Sequence, residues 1–303
     1  MPRSPQAVPF ARWYALVGRA LAPLAALPCL AGPAWAETKA TTSSFVIGGK
    51  PVQVEHFTPE KTGKHPTVLL PHSSEGLPEK GAVIYRDVAR VLARQGYVAL
   101  LVHYFEGTGT KRIDPKDIDE KLFRAWMGVV QGAVQHAAGL PEVDRERVGL
   151  VGFSLGACLA LAVAGQEGGP PVAAVVDLFG CLPEELAANA ARLPPTLVLH
   201  GGADQVVGVE KALALEGLLK KHGRAFEVKI YDKQEHLFGA QLLSLDALDG
   251  VSVSQVGGKV GRCCGPDGPG GADVRTTRPG LRLSGRCRRR RSRPTGARQP
   301  ALG

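Results

Sequence analysis

Residues 37–249 alternate short apolar runs with amphipathic segments, and this alternation constrains the fold more than any other feature of the sequence. The apolar runs are rich in Val, Leu and Ile, whereas the segments between them repeat apolar residues at helical spacing. Near-continuous apolar runs that alternate with helices are typical of parallel strands covered on both faces. We therefore predict one α/β domain over residues 37–249, with a mostly parallel central sheet and helices on both of its faces.

The first two apolar runs flank Gly48-Gly49-Lys50-Pro51, a turn sequence typical of a β-hairpin. The later runs are separated by helical segments, as a parallel sheet requires. The predicted strands span residues 45–47, 52–57, 67–70, 97–102, 148–151, 173–179, 196–200 and 226–231, and the predicted helices span residues 81–95, 116–138, 155–164 and 210–222.

Residues 1–36 have the parts of a secretory signal peptide. A basic start ends at Arg19, an apolar run of about 12 residues follows, and Ala34-Trp35-Ala36 fits a small-x-small cleavage site. The apolar run is shorter than the roughly 20 residues that a membrane span needs. We therefore expect cleavage after Ala36, a periplasmic or secreted protein, and no stable membrane anchor. The alternatives are an uncleaved anchor and an N-terminus without a targeting role.

The net charge of +9 comes from the two ends of the sequence. Residues 250–303 hold 12 of the 37 basic residues but only two of the 28 acidic ones, and they contain no Phe, Tyr, Trp or Met. Such a segment buries too little apolar surface to offset its ordering entropy. We expect a disordered Gly/Arg-rich tail, with two alternatives: an out-of-frame extension, or an arm for nucleic acid or an anionic surface. The expected export argues against nucleic acid as a partner.

Two cysteines, Cys158 and Cys181, belong to the predicted domain, and both lie in apolar neighbourhoods. We expect packed thiols there, with a disulfide between them as the alternative in an oxidising compartment. No Cys/His spacing is typical of a zinc site, so no metal is expected.

The sequence Gly152-Phe-Ser154-Leu-Gly156 lies between the predicted strand 148–151 and the predicted helix 155–164 and matches the pattern G-x-S-x-G. A nucleophilic serine at such a turn takes a strained backbone conformation, and glycines two residues away remove Cβ atoms that would clash. We therefore predict that Ser154 is the nucleophile. The alternative is a serine that merely caps the helix between two packing glycines.

A serine nucleophile needs a general base and a group that orients this base. Asp204 and His236 each follow one of the last two predicted strands. Because the carboxyl ends of parallel strands meet at one edge of a sheet, both side chains can reach Ser154. We predict a triad of Ser154, His236 and Asp204. The rival acids are Asp177, which lies within a strand, and Asp232, which lies too close in sequence to His236.

The oxyanion of an acyl-transfer reaction needs two N–H donors. The helix N-terminus supplies the N–H of Leu155. The loop after the predicted strand 67–70 is where a second donor comes from, and we predict Ser74 for it, with Ser73 next. His72 in the same loop could be a second base, although a packed polar residue is favoured.

Three motifs resemble the dienelactone hydrolase family of α/β-hydrolases: VGLVGFSLG at 148–156, HGGAD at 200–204 and EHLF at 235–238. The resemblance extends over residues 66–238. It implies an α/β-hydrolase fold without a large lid and the hydrolysis of an ester or lactone. It also implies the roles stated above for the triad and for the N–H groups of Ser74 and Leu155.

The sequence departs from the family's founding pattern in three places. The nucleophile there is a cysteine and here is Ser154, which favours an ordinary serine esterase. A glutamate that gates the cysteine in those enzymes has no counterpart here, because Glu75 lies two positions late. The final helix of the family begins here around residues 239–248 and then runs into the Gly/Arg-rich segment.

These observations predict an exported serine hydrolase that acts on a small-molecule ester or lactone through an acyl-enzyme, without metal or organic cofactor. A peptidase or acyltransferase with the same triad is the first alternative. A non-catalytic binding protein, or a truncated product with a basic tail, is the second.

Overall fold

The computed structural model describes residues 40–236 and the backbone of residues 274–277. The predicted signal peptide therefore lies outside the described residues. So does the expected final helix at 239–248.

A single sheet of nine strands forms the centre of the described part of the chain. Its order is β1-β2-β4-β3-β5-β6-β7-β8-β9. The segment from β4 to β8 is parallel throughout, and antiparallel strands complete both edges. The strands are β1 Ala40–Ile47, β2 Lys50–Phe57, β3 His65–Pro71, β4 Val98–Val102, β5 Val143–Phe153, β6 Ala174–Leu178, β7 Thr196–Gly201, β8 Phe226–Tyr231 and β9 Val274–Thr277.

Helices cover both faces of the sheet, as predicted. Within residues 40–236, one helix packs on the first face and three pack on the opposite face, and each face has its own apolar core. The parallel strands β3, β4 and β6 are buried along almost their whole length, which explains their continuous apolar sequences. The helix on the first face is α1 Val83–Arg94, and the helices on the opposite face are α2 Glu120–Ala138, α3 Leu155–Ala164 and α4 Val209–Lys221.

The start of α2 differs from the prediction. The helix was expected from Lys116, but it begins at Glu120 because the side chain of Asp119 caps it by accepting the N–H of Leu122 at 2.7 Å. Pro115–Asp117 forms a separate 3₁₀ turn.

Other segments also extend beyond the prediction, and two of them change the edges of the sheet. The hairpin has longer strands than expected, and its turn uses positive φ angles of 56° and 77° at Gly48 and Gly49. Strand β9 pairs antiparallel with β8 and lies within the stretch expected to be disordered. The remainder of that stretch lies outside the described residues. None of the helices in the described part of the chain is long and apolar enough to cross a membrane.

The two domain cysteines are free thiols in contact. The Sγ atoms of Cys158 and Cys181 lie 3.1 Å apart, and the N–H of Cys181 donates to Sγ of Cys158. The contact with Cys181 and burial raise the pKa of the Cys158 thiol well above its usual value. The structure thus has the packed thiols that the sequence predicted rather than the alternative disulfide.

Candidate active site

Ser154 lies at a sharp turn between β5 and α3, with φ 53° and ψ −116°. Few side-chain-bearing residues adopt this conformation, which stores strain at the turn. A Cβ atom at Gly152 would collide with the backbone of Ala157, and one at Gly156 would collide with the carbonyl oxygens of Pro71 and His72. The spacing of the motif therefore follows from how tightly α3 packs against β5 and the loop after β3.

The structure brings the three predicted triad side chains together. Nε2 of His236 lies 2.9 Å from Oγ of Ser154, and Nδ1 of His236 lies 2.7 Å from Oδ2 of Asp204. A carboxylate only accepts hydrogen bonds, so Nδ1 carries the proton and Nε2 faces the serine hydroxyl as an acceptor. This is the tautomer that a general base needs.

The carboxylate of Asp204 is held by the turn after β7. Its Oδ1 accepts the N–H groups of Val206 and Val207, each at 2.9 Å, and the residue is almost fully buried. Nε2 of the buried His200 donates to the carbonyl oxygen of Val207 at 2.8 Å and lies 3.5 Å from Oδ2 of Asp204. The turn thus holds Oδ1 of Asp204, and Oδ2 is directed at His236.

Within the described residues, the rival acid Asp177 makes no hydrogen bond to His236. Its Oδ1 accepts the N–H of Gly180 at 2.7 Å within the core, and burial raises its pKa to about 6. The second rival, Asp232, lies in the turn after β8 beside Gly202. The structure therefore brings the acid predicted first, and neither rival, to the imidazole.

The loop after β3 lies beside Ser154, as predicted, and hydrogen bonds from Tyr85 hold it in place. The hydroxyl of Tyr85 donates to Oγ of Ser73 at 2.9 Å and accepts the N–H of Ser73 at 3.2 Å. Because the N–H of Ser73 is engaged in this way, the next N–H, that of Ser74, is the better candidate for the oxyanion. The N–H of Leu155 is at the start of α3, one residue after the nucleophile.

His72 is packed beneath this loop. Its ring stacks on Tyr104 with centroids 4.1 Å apart, and its Nδ1 donates to the carbonyl oxygen of Ser73 at 2.8 Å. Burial lowers its pKa to about 3, although the bond to Ser73 acts in the opposite direction. A neutral, buried imidazole of this kind supports the loop, as the sequence favoured, rather than acting as a second base.

A cavity of about 560 Å³ opens above the serine. The loop that follows β4 supplies one of its walls, and this loop is tied to the loop after β3 by the N–H of Ile113, which donates to the carbonyl oxygen of Ser74 at 3.0 Å. The lining residues are Ser73, Ser74, Glu75, Arg112, Ile113, Asp114, Pro115, Ser154, Val206 and His236.

The sequence did not identify Arg112, Ile113 or Val206 as lining residues. No motif signals them, since their positions depend on the paths of two loops. Trp126 lies in the core and not in the lining of the cavity: it is fully buried, and its Nε1–H donates to Oγ1 of Thr108. Among residues 40–236, no group of three His, Cys, Asp or Glu side chains is arranged to hold a metal ion.

The chain is similar to known proteins in both sequence and fold. The model of the dienelactone hydrolase family matches residues 52–255, more than half of the chain. A protein of Methylorubrum extorquens, provisionally named a carboxymethylenebutenolidase, is 26% identical over 198 residues, which cover 60% of this chain and 66% of that protein. A carboxymethylenebutenolidase homolog of Xenopus tropicalis is 24% identical over 209 residues, covering 63% of this chain and 78% of that protein.

Among solved structures, a dienelactone hydrolase-like promiscuous phosphotriesterase from metagenomic libraries superposes with a TM-score of 0.56. It is 25% identical, and the match covers 67% of this chain and 85% of that chain. The shared fold has a mostly parallel sheet with helices on both faces, and no large lid is seen in the described residues.

Proposed function

Because the chain belongs to the dienelactone hydrolase family of α/β-hydrolases, we propose that it is an exported serine hydrolase that cleaves a small carboxylic ester or lactone. The observation that carries the proposal is the hydrogen-bonded relay from Asp204 through His236 to Ser154, with distances of 2.7 and 2.9 Å. The relay ends in a cavity that can hold a small molecule.

In the acylation step, Nε2 of His236 takes the proton of Ser154 while Oγ forms a bond to the substrate carbonyl carbon. Asp204 keeps the imidazole in the required tautomer and stabilises the imidazolium. The N–H groups of Ser74 and Leu155 receive the oxyanion of the tetrahedral intermediate, and each such donor typically lowers the barrier by about 3 kcal/mol.

Collapse of this intermediate breaks the bond to the leaving alkoxide, which takes the proton from Nε2 of His236. A water molecule then attacks the acyl group on Ser154, with His236 again accepting the proton. The second tetrahedral intermediate releases the carboxylic acid and returns the proton to Oγ of Ser154. For a lactone, the alcohol and the acid leave as one molecule.

Hydrolysis of p-nitrophenyl butyrate by the full chain tests this activity. We expect turnover by the wild type and a loss of at least 1,000-fold in kcat/KM for Ser154→Ala, with an unchanged circular dichroism spectrum. The matched anilide distinguishes an esterase from a peptidase, because both use the same triad. A folded wild type that cleaves neither compound would contradict the proposal.

The proposed export is tested separately. The support for it is the signal-like sequence of residues 1–36. Expression of the full chain in a Gram-negative bacterium, followed by cell fractionation and N-terminal sequencing, should give a periplasmic or secreted protein that begins at Glu37. A cytoplasmic protein that retains residues 1–36 would contradict export and would leave the proposed chemistry untouched.

A further inference from the structure

A charged pair lies in the wall of the cavity beside the serine. The guanidinium of Arg112 binds the carboxylate of Glu75 through two of its nitrogen atoms: Nε lies 2.9 Å from Oε2, and Nη2 lies 3.0 Å from Oε1. Both residues line the same cavity as Ser154 and His236. Two-point pairing of this kind fixes the relative orientation of an arginine and a carboxylate.

The two side chains project from loops that are joined beside the oxyanion donor. Glu75 directly follows Ser74, whose carbonyl oxygen accepts the N–H of Ile113, the residue after Arg112. This backbone bond fixes the spacing of the loops and holds the two charges within reach of each other. The pair is therefore a built part of the cavity wall.

Among the described residues that line the cavity, Arg112 is the only Lys or Arg, and Glu75 neutralises it. The remaining charged lining residue, apart from the imidazole, is Asp114, whose carboxylate pairs with Nζ of Lys116 at 3.0 Å. Within residues 40–236, the lining side chains thus offer no uncompensated positive charge to a substrate. A carboxylate on the substrate would have to displace Glu75 from Arg112 or lie beside two acids.

We propose that Glu75, by occupying Arg112, makes this site selective for esters or lactones whose acyl group is uncharged. The inference deepens the proposed function and rests on it. Glu75 acts here as a specificity-determining residue: its removal frees a guanidinium within the cavity, and an anionic acyl chain can then bind to that group.

The expected size of the effect follows from the exposure of the pair. Side-chain exposures of 71% for Arg112 and 50% for Glu75 leave both charges in contact with water. Water therefore screens the attraction between a freed Arg112 guanidinium and a carboxylate on the substrate, and the effect on substrate preference is modest. Such an interaction corresponds to about a tenfold change in the preference between a charged and an uncharged substrate.

The test uses two esters with the same leaving group and acyl length: p-nitrophenyl hexanoate and the mono-p-nitrophenyl ester of adipic acid. The second replaces the terminal methyl of the first by a carboxylate. The ratio of kcat/KM for the charged ester to that for the uncharged ester is measured for the full chain. The variants are Glu75→Gln, Arg112→Gln and the double variant, which removes both charges with little change in shape.

We expect Glu75→Gln to raise this ratio about tenfold, and we expect the gain to shrink at high salt because the new contact is partly exposed. Arg112→Gln should lower the ratio, and the double variant should return it close to the wild-type value. A ratio that changes less than twofold in Glu75→Gln, or that rises equally in the double variant, would overturn the inference while the hydrolysis of hexanoate still supports the proposed function. If the wild type hydrolyses neither ester, the proposed function and this inference both fail.

Discussion

Replacing Asp204 by asparagine should switch His236 to the wrong tautomer without disturbing the turn that holds residue 204. Oδ1 of Asp204 accepts the N–H groups of Val206 and Val207, so an asparagine must place its carbonyl oxygen there. Its NH₂ group then faces Nδ1 of His236, where Oδ2 lies in the wild type. Nδ1 becomes an acceptor, the ring proton moves to Nε2, and Nε2 can no longer take a proton from Ser154.

The magnitude follows from this change in tautomer. An aspartate-to-asparagine replacement that reverses the tautomer in a serine triad lowers kcat by about 10,000-fold. Each tenfold loss is about 1.36 kcal/mol, so the barrier rises by about 5.5 kcal/mol. The two backbone hydrogen bonds of the turn are retained, and the free energy of unfolding should therefore change by no more than about 1 kcal/mol.

The assay compares kcat and KM for p-nitrophenyl butyrate, together with urea unfolding, for the wild type, Asp204→Asn and Asp232→Asn. Asp232 is the matched control, because it lies in the neighbouring turn and was the rival acid in the sequence. We expect a large fall in kcat for Asp204→Asn alone. Activity within tenfold of the wild type in Asp204→Asn, or an equal loss in Asp232→Asn, would refute the assignment of the acid.

Three further changes test the supports of the site and of the fold. Tyr85→Phe removes both hydrogen bonds to Ser73 and should lower kcat about tenfold with little change in KM. Tyr97→Phe is its control, because the Tyr97 hydroxyl is buried without a partner in the described residues. Equal losses of kcat in the two variants would contradict the role of Tyr85. Gly156→Ala should lower kcat/KM by at least about 100-fold and the free energy of unfolding by about 1–3 kcal/mol, since the new Cβ would meet backbone carbonyls. Its control is Gly128→Ala in α2, where nothing lies within 4 Å and the change should be neutral or stabilising. A Gly156→Ala variant with unchanged kcat/KM and stability would refute the packing argument. Burial alone would raise the pKa of Glu55, but hydrogen bonds from His103 and Arg86 lower this pKa from 4.5 to about 2. The charge of Glu55 therefore stabilises the fold fully above pH 4.5 and progressively less as the pH falls towards 2. Glu55→Gln should therefore lower the free energy of unfolding by up to about 3 kcal/mol at pH 7 and by almost nothing near pH 2, as measured by urea unfolding, and a difference independent of pH would contradict this account.

The nucleophile, base and acid could be predicted because each lies at a strand end that the sequence marks. Ser154 follows an apolar run and is flanked by glycines, whereas Asp204 and His236 follow the last two strands of the parallel sheet. Parallel pairing alone then brings the three to one edge. The parallel part of the sheet was predictable from a second feature: most of its strands are buried on both faces and read as continuous apolar runs.

The walls and supports of the site could not be predicted in this way. Arg112 reaches Glu75 only because the loop after β4 folds back over the loop after β3, and this path depends on a backbone hydrogen bond between Ile113 and Ser74. Tyr85 reads in the sequence as one more apolar-face residue of a helix, although its hydroxyl holds the loop that carries Ser74. Contacts of this kind depend on loop paths rather than on periodicity.

The start of α2 shows the same limit at a smaller scale. Lys116 follows Asp114-Pro115, a plausible helix start, yet the chain makes one 3₁₀ turn and begins the helix again at the side chain of Asp119. Two competing caps lie five residues apart, and tertiary packing selects the second. Trp126, buried against the loop after β4, fixes the helix in that register.

Covalent labelling of Ser154 tests the central claim most directly. A fluorophosphonate forms an O–P bond with an activated serine and releases fluoride, so the full chain should gain one phosphonyl group, and tandem mass spectrometry should place that group on Ser154. Asp204→Asn should slow this labelling, and Ser154→Ala should abolish it. Ester hydrolysis by a protein that stays unlabelled at Ser154, or that carries the phosphonyl group on another residue, would contradict the account.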